Sequence, residues 1–351
     1  MKKLSLVSFA IFVSFCVYGK FTYDPSKGTI VDEVNGWTLK AVCKNTDELT
    51  LLGKDGLFSG AAECPLDLTE IYSVDGKTRY RAIDIRSLPA AAKTYITAFI
   101  APELTDISES TFMGCSKLST VSTPKVLRIA NQAFQGCTAL STESVNGLLH
   151  SAVKRLGSND IANQKSLFAY CTAIKGPINW NLPSLTTNVV ADSMFYGCSA
   201  LEEVRILSDV AEIKSAAFKN IAPGASVYMP LAAPAVFGGN AVCRESAPYP
   251  KIYLKGNYDA WFKVMGVSHQ ILPKERFNDA TWTPTTTTTT YAKMRVRMSA
   301  DTEMCTTTKT GNTITEVAAK DKNVIAFVAF NDASYCWVLK IPEQGFRVIV
   351  R

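Results

Sequence analysis

A short pattern of hydrophobic positions recurs through the middle of the chain. Three segments share Phe, Gly, Cys and a closing Leu at identical offsets, namely TFMGCSKL (111–118), AFQGCTAL (133–140) and MFYGCSAL (194–201). Two further copies are incomplete, namely LFAYCTAI (167–174), which lacks the glycine, and AFKNIAPG (217–224), which keeps only the phenylalanine. Consecutive phenylalanines lie 22, 34, 27 and 23 residues apart. A period of this length predicts a stack of repeats rather than a single folded core.

Each copy continues into a short segment in which apolar and polar residues alternate. LSTVSTP (118–124) and LEEVRIL (201–207) have the period of two that is typical of a strand. An apolar residue also lies five places before most of the phenylalanines, at Ile107, Ile129, Val190 and Ile213. One copy cannot bury these groups alone, whereas stacked neighbours remove them from water. The pattern therefore predicts a repeat solenoid with a parallel β-sheet face, in which glycine supplies a positive φ at the turn.

The residues of this region resemble a known family. The segment APELTDISESTFMGCSKLSTVSTPKVLRIANQAFQGCTAL is similar to tandem BspA-type (Treponema pallidum-type) leucine-rich repeats, the class found in exported and surface proteins of bacteria and some parasitic protists. The resemblance covers about residues 95 to 230, and more loosely extends to about residue 265. It implies a right-handed coil and a non-catalytic role in binding or adhesion. The sequence departs from the repeat pattern at Glu143, where an apolar strand residue is expected.

Residues that alternate with the inward ones are expected to point outward on the sheet face. The candidate ligand-binding residues are Thr120, Ser122, Thr142, Ser144, Glu203, Arg205, Tyr228 and Tyr253. Most of them are small, which favours a broad, shallow contact over a deep small-molecule pocket. Tyrosines contribute strongly to many protein interfaces, so Tyr228 and Tyr253 are the best candidates. The alternative is that these are ordinary solvent-exposed strand positions.

The flanking segments differ in composition from the repeats. We predict a signal peptide at 1–19, a β-rich N-terminal cap at 20–94, repeats with a C-terminal cap at 95–276, a Thr-rich linker at 277–290 and a small β domain at 291–351. In the cap, IYSVDGKTRYRAIDI predicts a hairpin about Asp75 and Gly76. A short helix is expected near 258–265, and six consecutive threonines, 285–290, indicate the linker, with an exposed strand as the alternative.

The first residues and the charge balance bear on location and partners. Lys2 and Lys3 precede about 15 apolar residues and then Gly19, which is the layout of a cleaved signal peptide and is short for a membrane anchor. We therefore expect a secreted or cell-surface protein without membrane insertion. The chain is 47% hydrophobic and 19% charged, with no long run of like charges. The chain therefore lacks the clustered basic residues that are typical of a nucleic-acid-binding protein.

Ten cysteines and two histidines provide the remaining candidate chemistry. In an exported chain Cys43 with Cys64, and Cys305 with Cys336, are candidate disulfides, whereas Cys243 is left unpaired. The repeat cysteines 115, 137, 171 and 198 should be buried free thiols, because parallel side chains in a ladder do not readily meet. Zinc is not expected, since no C-x-x-C occurs and His150 and His269 are far apart.

No phosphate-binding loop, dinucleotide fingerprint or nucleophile elbow occurs in the chain. A nucleophile pair of Cys171 and His150 is the remote catalytic alternative. It is remote because burial should raise the pKa of the Cys171 thiol, which disfavours the reactive thiolate. We therefore expect a non-enzymatic protein without a cofactor. The leading hypothesis is recognition of an extracellular protein or glycan by the repeat face. The alternative is a structural or self-assembling envelope protein in which copies associate.

Overall fold

The computed structural model describes residues 20–60, 63–157, 165–230, 232–246, 248–265, 270–273, 306–308, 313–316, 323–329 and 334–341. The N-terminal strands are β1 Phe21–Asp24, β2 Thr29–Asp32, β3 Trp37–Cys43, β4 Glu48–Phe58, β5 Cys64–Asp67, β6 Ile71–Ser73 and β7 Arg79–Ile85. A 3-10 turn at Ala90–Thr94 leads into the repeats. The predicted signal peptide lies outside the described residues.

The repeats consist of very short strands and two helices. Their first half contains β8 Ile96–Ile100, β9 Asp106–Ile107, β10 Thr120–Ser122, β11 Arg128–Ile129, helix α1 Thr142–Leu148 and β12 Arg155–Leu156. Their second half contains β13 Ile178–Trp180, β14 Val189–Val190, β15 Glu203–Ile206, β16 Glu212–Ile213, β17 Ser226–Tyr228, β18 Val236–Phe237, β19 Lys251–Leu254 and helix α2 Tyr258–Met265. The later strands are β20 Gln270–Pro273, β21 Thr306–Thr308, β22 Thr313–Glu316, β23 Val324–Ala329 and β24 Tyr335–Lys340.

Most copies contribute one strand to each of two separate ladders, and each strand pairs in parallel with the strand of the next copy. On one side β5, β8 and β10 form one sheet, and β13, β15, β17 and β19 belong to another. On the other side β7, β9, β11 and β12 are consecutive, as are β14, β16 and β18. The apolar residues predicted before each phenylalanine occupy this second ladder, where Ile107 pairs with Ile129 and both are buried. The repeat period in the sequence therefore corresponds to one turn of a repeat fold.

A column of phenylalanine rings runs through the interior of the stack. Phe112, Phe134, Phe168, Phe195 and Phe218 are all fully buried. Neighbouring rings are nearly parallel, with centroids 5.2 to 5.7 Å apart. Parallel offset rings at this spacing add attraction to the area that they bury. The predicted shared interior is confirmed.

The turn that carries each phenylalanine needs a left-handed residue two places later. Gly114, Gly136 and Gly197 have φ values of +78°, +74° and +71°. Tyr170 and Asn220 occupy the same position in the two incomplete copies, at +62° and +58°. Glycine reaches this conformation without a steric penalty, which explains its recurrence in the motif. The predicted role of the glycine is confirmed.

All the N-terminal strands except β5 continue the second ladder rather than forming a separate layer. Strand β7 pairs in parallel with β4 on one side and with β9 of the first repeat on the other. The predicted hairpin is present, since Ile71 of β6 pairs antiparallel with Tyr80 of β7. These strands place Phe21, Trp37 and Leu51 in the same buried cluster as the repeat core. The β-rich segment thus covers the first turn of the stack.

The other end of the stack is extended by strands from the C-terminal region. Strand β24 pairs in parallel with β19, and β23 pairs antiparallel with β24. Helix α2 occupies the segment where a short helix was expected, and its Trp261 and Met265 are buried. The Thr-rich linker lies outside the described residues, as does most of the predicted terminal β domain. Among the described helices, none has the length and apolar character needed to cross a bilayer.

Candidate binding face

The sheet that contains β13, β15, β17, β19 and β24 presents alternate residues to opposite sides. Its inner row is Ile178, Val204, Val227, Ile252 and Val338, all fully buried. One outer row is Glu203, Ser226, Lys251 and Trp337, and the other is Asn179, Arg205, Tyr228, Tyr253 and Leu339. The outward register predicted for this half of the face is confirmed.

Four of the predicted site residues, Glu203, Arg205, Tyr228 and Tyr253, lie together and are called the tyrosine patch here. The rings of Tyr228 and Tyr253 stack with centroids 4.7 Å apart and planes inclined by 16°. Nε of Arg205 donates a charge-assisted hydrogen bond to the carboxylate of Glu203. All four side chains are partly exposed. The patch is therefore an ordered, solvent-accessible surface of two rings and one ion pair.

The electrostatics of the patch keep the Tyr228 hydroxyl protonated. Burial raises the pKa of Tyr228 above its usual value of 10, and the nearby Glu203 carboxylate raises that pKa further. Arg205 and a hydrogen bond with Ser226 oppose this shift, but they are smaller causes. The hydroxyl is thus a neutral group at physiological pH, able to donate or accept a hydrogen bond.

The tyrosine patch ends beside the strand that the C-terminal region adds. Register places Leu339 next to Tyr253 and Trp337 next to Lys251. Although they belong to the outer rows, both Leu339 and Trp337 are buried. The accessible part of the face is therefore bounded at β24, and Tyr253 is its last exposed aromatic residue.

Thr120 and Ser122 point outward from a strand, as predicted, but that strand does not belong to the sheet of the tyrosine patch. Both are exposed on β10, on either side of the buried Val121. They pair with Ala98 and Ile100 of β8. They belong to the three-stranded sheet of β5, β8 and β10, which is separate from the sheet of the tyrosine patch. These two residues therefore form a different surface.

The prediction that Thr142 and Ser144 point outward from a strand is wrong. Both residues lie on helix α1, and Ser144 is buried. Ser141 caps this helix by accepting the backbone N–H of Ser144 at 3.2 Å. Val145 and Leu148 then fall on the buried side with helical spacing. Glu143, which did not fit the strand pattern, is exposed in the first turn, where a carboxylate suits the helix dipole.

Helix α1 replaces a strand and joins the two neighbouring sheets through side chains. On one flank Ser144 Oγ accepts the N–H of Val121 at 2.9 Å. On the other flank Thr142 Oγ1 accepts the N–H of Lys175 at 3.0 Å, and Asn146 Oδ1 accepts the N–H of Asn179 at 3.0 Å. These bonds satisfy backbone N–H groups beside the helix that would otherwise lack a partner. The helix interrupts the predicted continuous face and divides it into two surfaces.

A charged row on the second ladder was not anticipated from the sequence. Asp84, Asp106, Arg128 and Arg155 occupy matching positions on β7, β9, β11 and β12. They line a groove of about 640 Å³, in which Arg128 pairs with Asp106. The sequence feature that could have revealed this row is the charged residue directly before each inward isoleucine, at Asp106 and Arg128. Two acidic residues are followed by two basic residues, so the row as a whole does not carry charge of one sign.

The repeat cysteines are buried free thiols, as predicted. The Sγ atoms of Cys137, Cys171 and Cys198 each donate to the carbonyl of the phenylalanine one copy earlier, at 3.1 Å. Burial raises the pKa of the Cys171 thiol well above its usual value. That thiol is therefore held in its neutral, unreactive form, which is the opposite of an activated nucleophile.

The predicted bridge between Cys43 and Cys64 is wrong. Cys43 lies exposed on β3 of the nine-stranded sheet, and Cys64 lies buried on β5 of the three-stranded sheet, both as free thiols. Cys43 Sγ instead donates to the carbonyl of Asn45 at 2.6 Å. Cys305 and His269 lie outside the described residues. Within the described ranges, no group of three or more His, Cys, Asp or Glu side chains could hold a metal ion.

Comparison with known proteins agrees with the repeat geometry. A family model described as BspA type leucine rich repeat region matches residues 91–230 in six copies. A crystal structure of a leucine-rich repeat protein from Bacteroides ovatus ATCC 8483 is similar, with 14% identity, coverage of 62% of this chain and 70% of that chain, and a TM-score of 0.34. No curated protein matches the sequence. The six matched copies and the stacked phenylalanine turns show that residues 91–230 form a BspA-type leucine-rich repeat region.

Proposed function

We propose that the chain is a non-catalytic binding protein whose tyrosine patch recognises an extracellular partner. The repeat family supports a role in binding through a repeat surface. The observation that carries the proposal is the stacked pair Tyr228 and Tyr253 beside the Glu203 and Arg205 ion pair. Tyrosine and arginine are the residue types enriched among interface residues that dominate affinity.

A protein partner fits this patch better than a glycan. A sugar ring needs an open aromatic face on which to stack, whereas one face of Tyr228 is covered by Tyr253. On its other side Tyr253 is next to Leu339 in register. The rings therefore offer their edges and hydroxyl groups, together with one ion pair. A polypeptide surface supplies matching apolar groups and backbone hydrogen-bond partners for this combination.

The proposal includes export of the chain and a right-handed winding of the repeats. Export is inferred from the apolar segment after Lys2 and Lys3. The winding is inferred from the family resemblance and from the parallel pairing of successive copies, such as β15 with β17. The neutral state of the Cys171 thiol supports a function without catalysis.

The experiment measures binding of the chain from residue 20 to a panel of extracellular-matrix proteins and to a glycan array. The test variant combines Arg205→Ala with Tyr228→Ala. The matched control combines Thr120→Ala with Ser122→Ala, which are exposed outward positions on the other surface. We expect binding to at least one protein, weakened at least about tenfold in the test variant and unchanged in the control.

Three results would overturn this function. The first is binding to glycans alone. The second is protein binding that both variants retain equally. The third is concentration-dependent oligomers in light scattering with no bound partner, which would favour the self-assembling alternative.

A further inference from the structure

The C-terminal strand β24 contacts the repeats at a second place besides β19. Arg244, which lies in no named strand, forms an isolated antiparallel bridge with Tyr335, the first residue of β24. The Arg244 N–H donates to the Tyr335 carbonyl at 3.2 Å, and the Tyr335 N–H donates to the Arg244 carbonyl at 2.8 Å. Two reciprocal bonds of this kind define a hydrogen-bonded pair of an antiparallel ladder.

The register of that bridge places two cysteines opposite each other. In an antiparallel pairing, the residue before Arg244 faces the residue after Tyr335, so Cys243 faces Cys336. The positions that flank a hydrogen-bonded pair are non-hydrogen-bonded, with Cα atoms about 4.5 Å apart. A disulfide needs Cα atoms about 4.4 to 6.8 Å apart. If the register of the bridge extends by one residue, the backbone separation lies in the range that a cross-link requires.

Both side chains point into the same interior. Cys243 and Cys336 are free thiols in this structure, are fully buried and belong to one hydrophobic cluster. Cys336 also has the same parity on β24 as Val338, which lies in the inner row. Burial raises the pKa of the Cys336 thiol, and the charge of a Cys243 thiolate raises it further.

We propose that Cys243 and Cys336 form a disulfide when the chain folds in an oxidising environment. The oxidant is a small-molecule or protein disulfide. One cysteine thiolate attacks that disulfide, forms a mixed disulfide and releases one thiol. The second cysteine, as its thiolate, attacks the mixed disulfide and releases the other thiol. Two protein thiols are thereby oxidised to one S–S bond, while the oxidant disulfide is reduced to two thiols.

The bond is expected to form during folding rather than afterwards. In the folded chain both thiols are shielded from an oxidant, and Cys243 Sγ donates to the carbonyl of Asn240 at 3.3 Å. Before β24 docks, the thiols are exposed and have ordinary reactivity. Once formed, the bond ties β24 to the last turn of the repeat stack and closes that end of the molecule.

The repeat cysteines do not compete for this pairing. Cys137, Cys171 and Cys198 lie side by side in parallel copies, and each donates to a backbone carbonyl. Cys43 is exposed on β3, which belongs to the nine-stranded sheet and not to the sheet of β24. The sequence-based alternative for Cys336 is Cys305, so the experiment has to separate these two partners.

The test refolds the chain from residue 20 with oxidised and reduced glutathione, blocks free thiols with N-ethylmaleimide and digests the product with trypsin. Cys243 is the only cysteine of the tryptic peptide 220–244, and Cys336 is the only cysteine of the peptide 323–340. We expect these two peptides to be joined, with a mass lower than their sum by two hydrogen atoms, and to separate after reduction. Both peptides labelled with maleimide, or 323–340 joined to the Cys305 peptide 298–309, would overturn the proposal.

A thermal measurement supplies an independent readout. The oxidised chain should melt about 5 to 15 °C above the reduced chain. The double variant Cys243→Ala, Cys336→Ala should lose this difference. The matched control Cys171→Ala removes a buried thiol from the repeat column, so it should lower both melting temperatures and keep the difference between them. A difference that persists in the double variant would overturn the proposal.

Discussion

Ser144 on helix α1 and Val121 on strand β10 are joined by a hydrogen bond. The serine side chain takes the place of the backbone acceptor that a neighbouring strand would supply. Ser144 Oγ accepts the N–H of Val121 at 2.9 Å and donates to the carbonyl of Ser119 at 3.1 Å. One hydroxyl thus satisfies a donor and an acceptor at the edge of β10. This explains how the stack can insert helix α1 in place of a strand without leaving buried backbone groups unpaired.

Removal of that hydroxyl should destabilise the fold. In Ser144→Ala the Val121 N–H loses its partner in a buried site, which costs about 1 to 3 kcal/mol. The control Glu143→Ala changes an exposed residue of the same helix and should stay within about 0.5 kcal/mol of the parent. The measurement is the free energy of unfolding in urea. Equal effects of the two variants would show that the hydroxyl does not bridge helix and strand.

Two glycines should respond in opposite ways to the same substitution. A Cβ at Gly114 or at Gly147 meets no atom within 4 Å, so space does not distinguish them. Gly114 has φ of +78°, and Gly114→Ala should cost about 1 kcal/mol or more because of that conformation. Gly147 lies within helix α1, and Gly147→Ala should add about 0.5 to 1 kcal/mol of stability. Urea unfolding of both variants measures this contrast, and the same sign for both would contradict the assigned turn geometry.

Cys43 should react with an alkylating reagent much faster than the repeat cysteines. Cys43 is exposed, whereas Cys115, Cys137 and Cys198 are buried. In the reduced native chain at pH 8, iodoacetamide should label Cys43 at least about 100-fold faster than these three thiols, because they react only after local opening. Mass spectrometry of tryptic peptides measures each rate. In urea the rates should converge, and comparable rates in the native chain would contradict the burial of the column.

Alkaline pH should weaken the fold through the same thiols. Burial raises the pKa of Cys115 and of Cys198 to about 12 from a value near 9 in an unfolded chain. The folded state therefore holds these protons more tightly, so stability is complete below pH 9 and declines as pH rises from 9 to 12. Between pH 8 and pH 10, each thiol should account for about 1.4 kcal/mol of lost stability. The double variant Cys115→Ala, Cys198→Ala should show a correspondingly smaller decline, and an unchanged decline would exclude these thiols as its cause.

The parts of the fold that depend on local periodicity were predictable from the sequence. The phenylalanine column, the glycine turns and the tyrosine patch all follow from residues repeated at fixed offsets, because each copy has the same neighbours. Helix α1 was missed, although Ser141 as a cap and Val145 with Leu148 at helical spacing were readable signals. The resemblance to the repeat family favoured a strand at this position instead.

Pairings between strands that are far apart in the sequence could not be predicted from local patterns. The position of β24 beside β19, and hence the boundary of the tyrosine patch at Leu339, depends on residues separated by more than eighty positions in the chain. The pairing of Arg244 with Tyr335 has the same character. The charged row of Asp84, Asp106 and Arg128 was accessible in principle, but only after recognising that the short strands before each phenylalanine form a second ladder.

A double-mutant cycle on the phenylalanine column tests the shared interior most directly. Phe134 and Phe168 are stacked neighbours with centroids 5.7 Å apart, whereas Phe112 and Phe218 are at opposite ends of the column. With Phe→Leu substitutions and urea unfolding, the neighbouring pair should show a coupling energy of about 0.5 to 1.5 kcal/mol. The distant pair should be additive within about 0.5 kcal/mol. Additivity for Phe134 and Phe168, or equal coupling for both pairs, would contradict a single column of stacked rings.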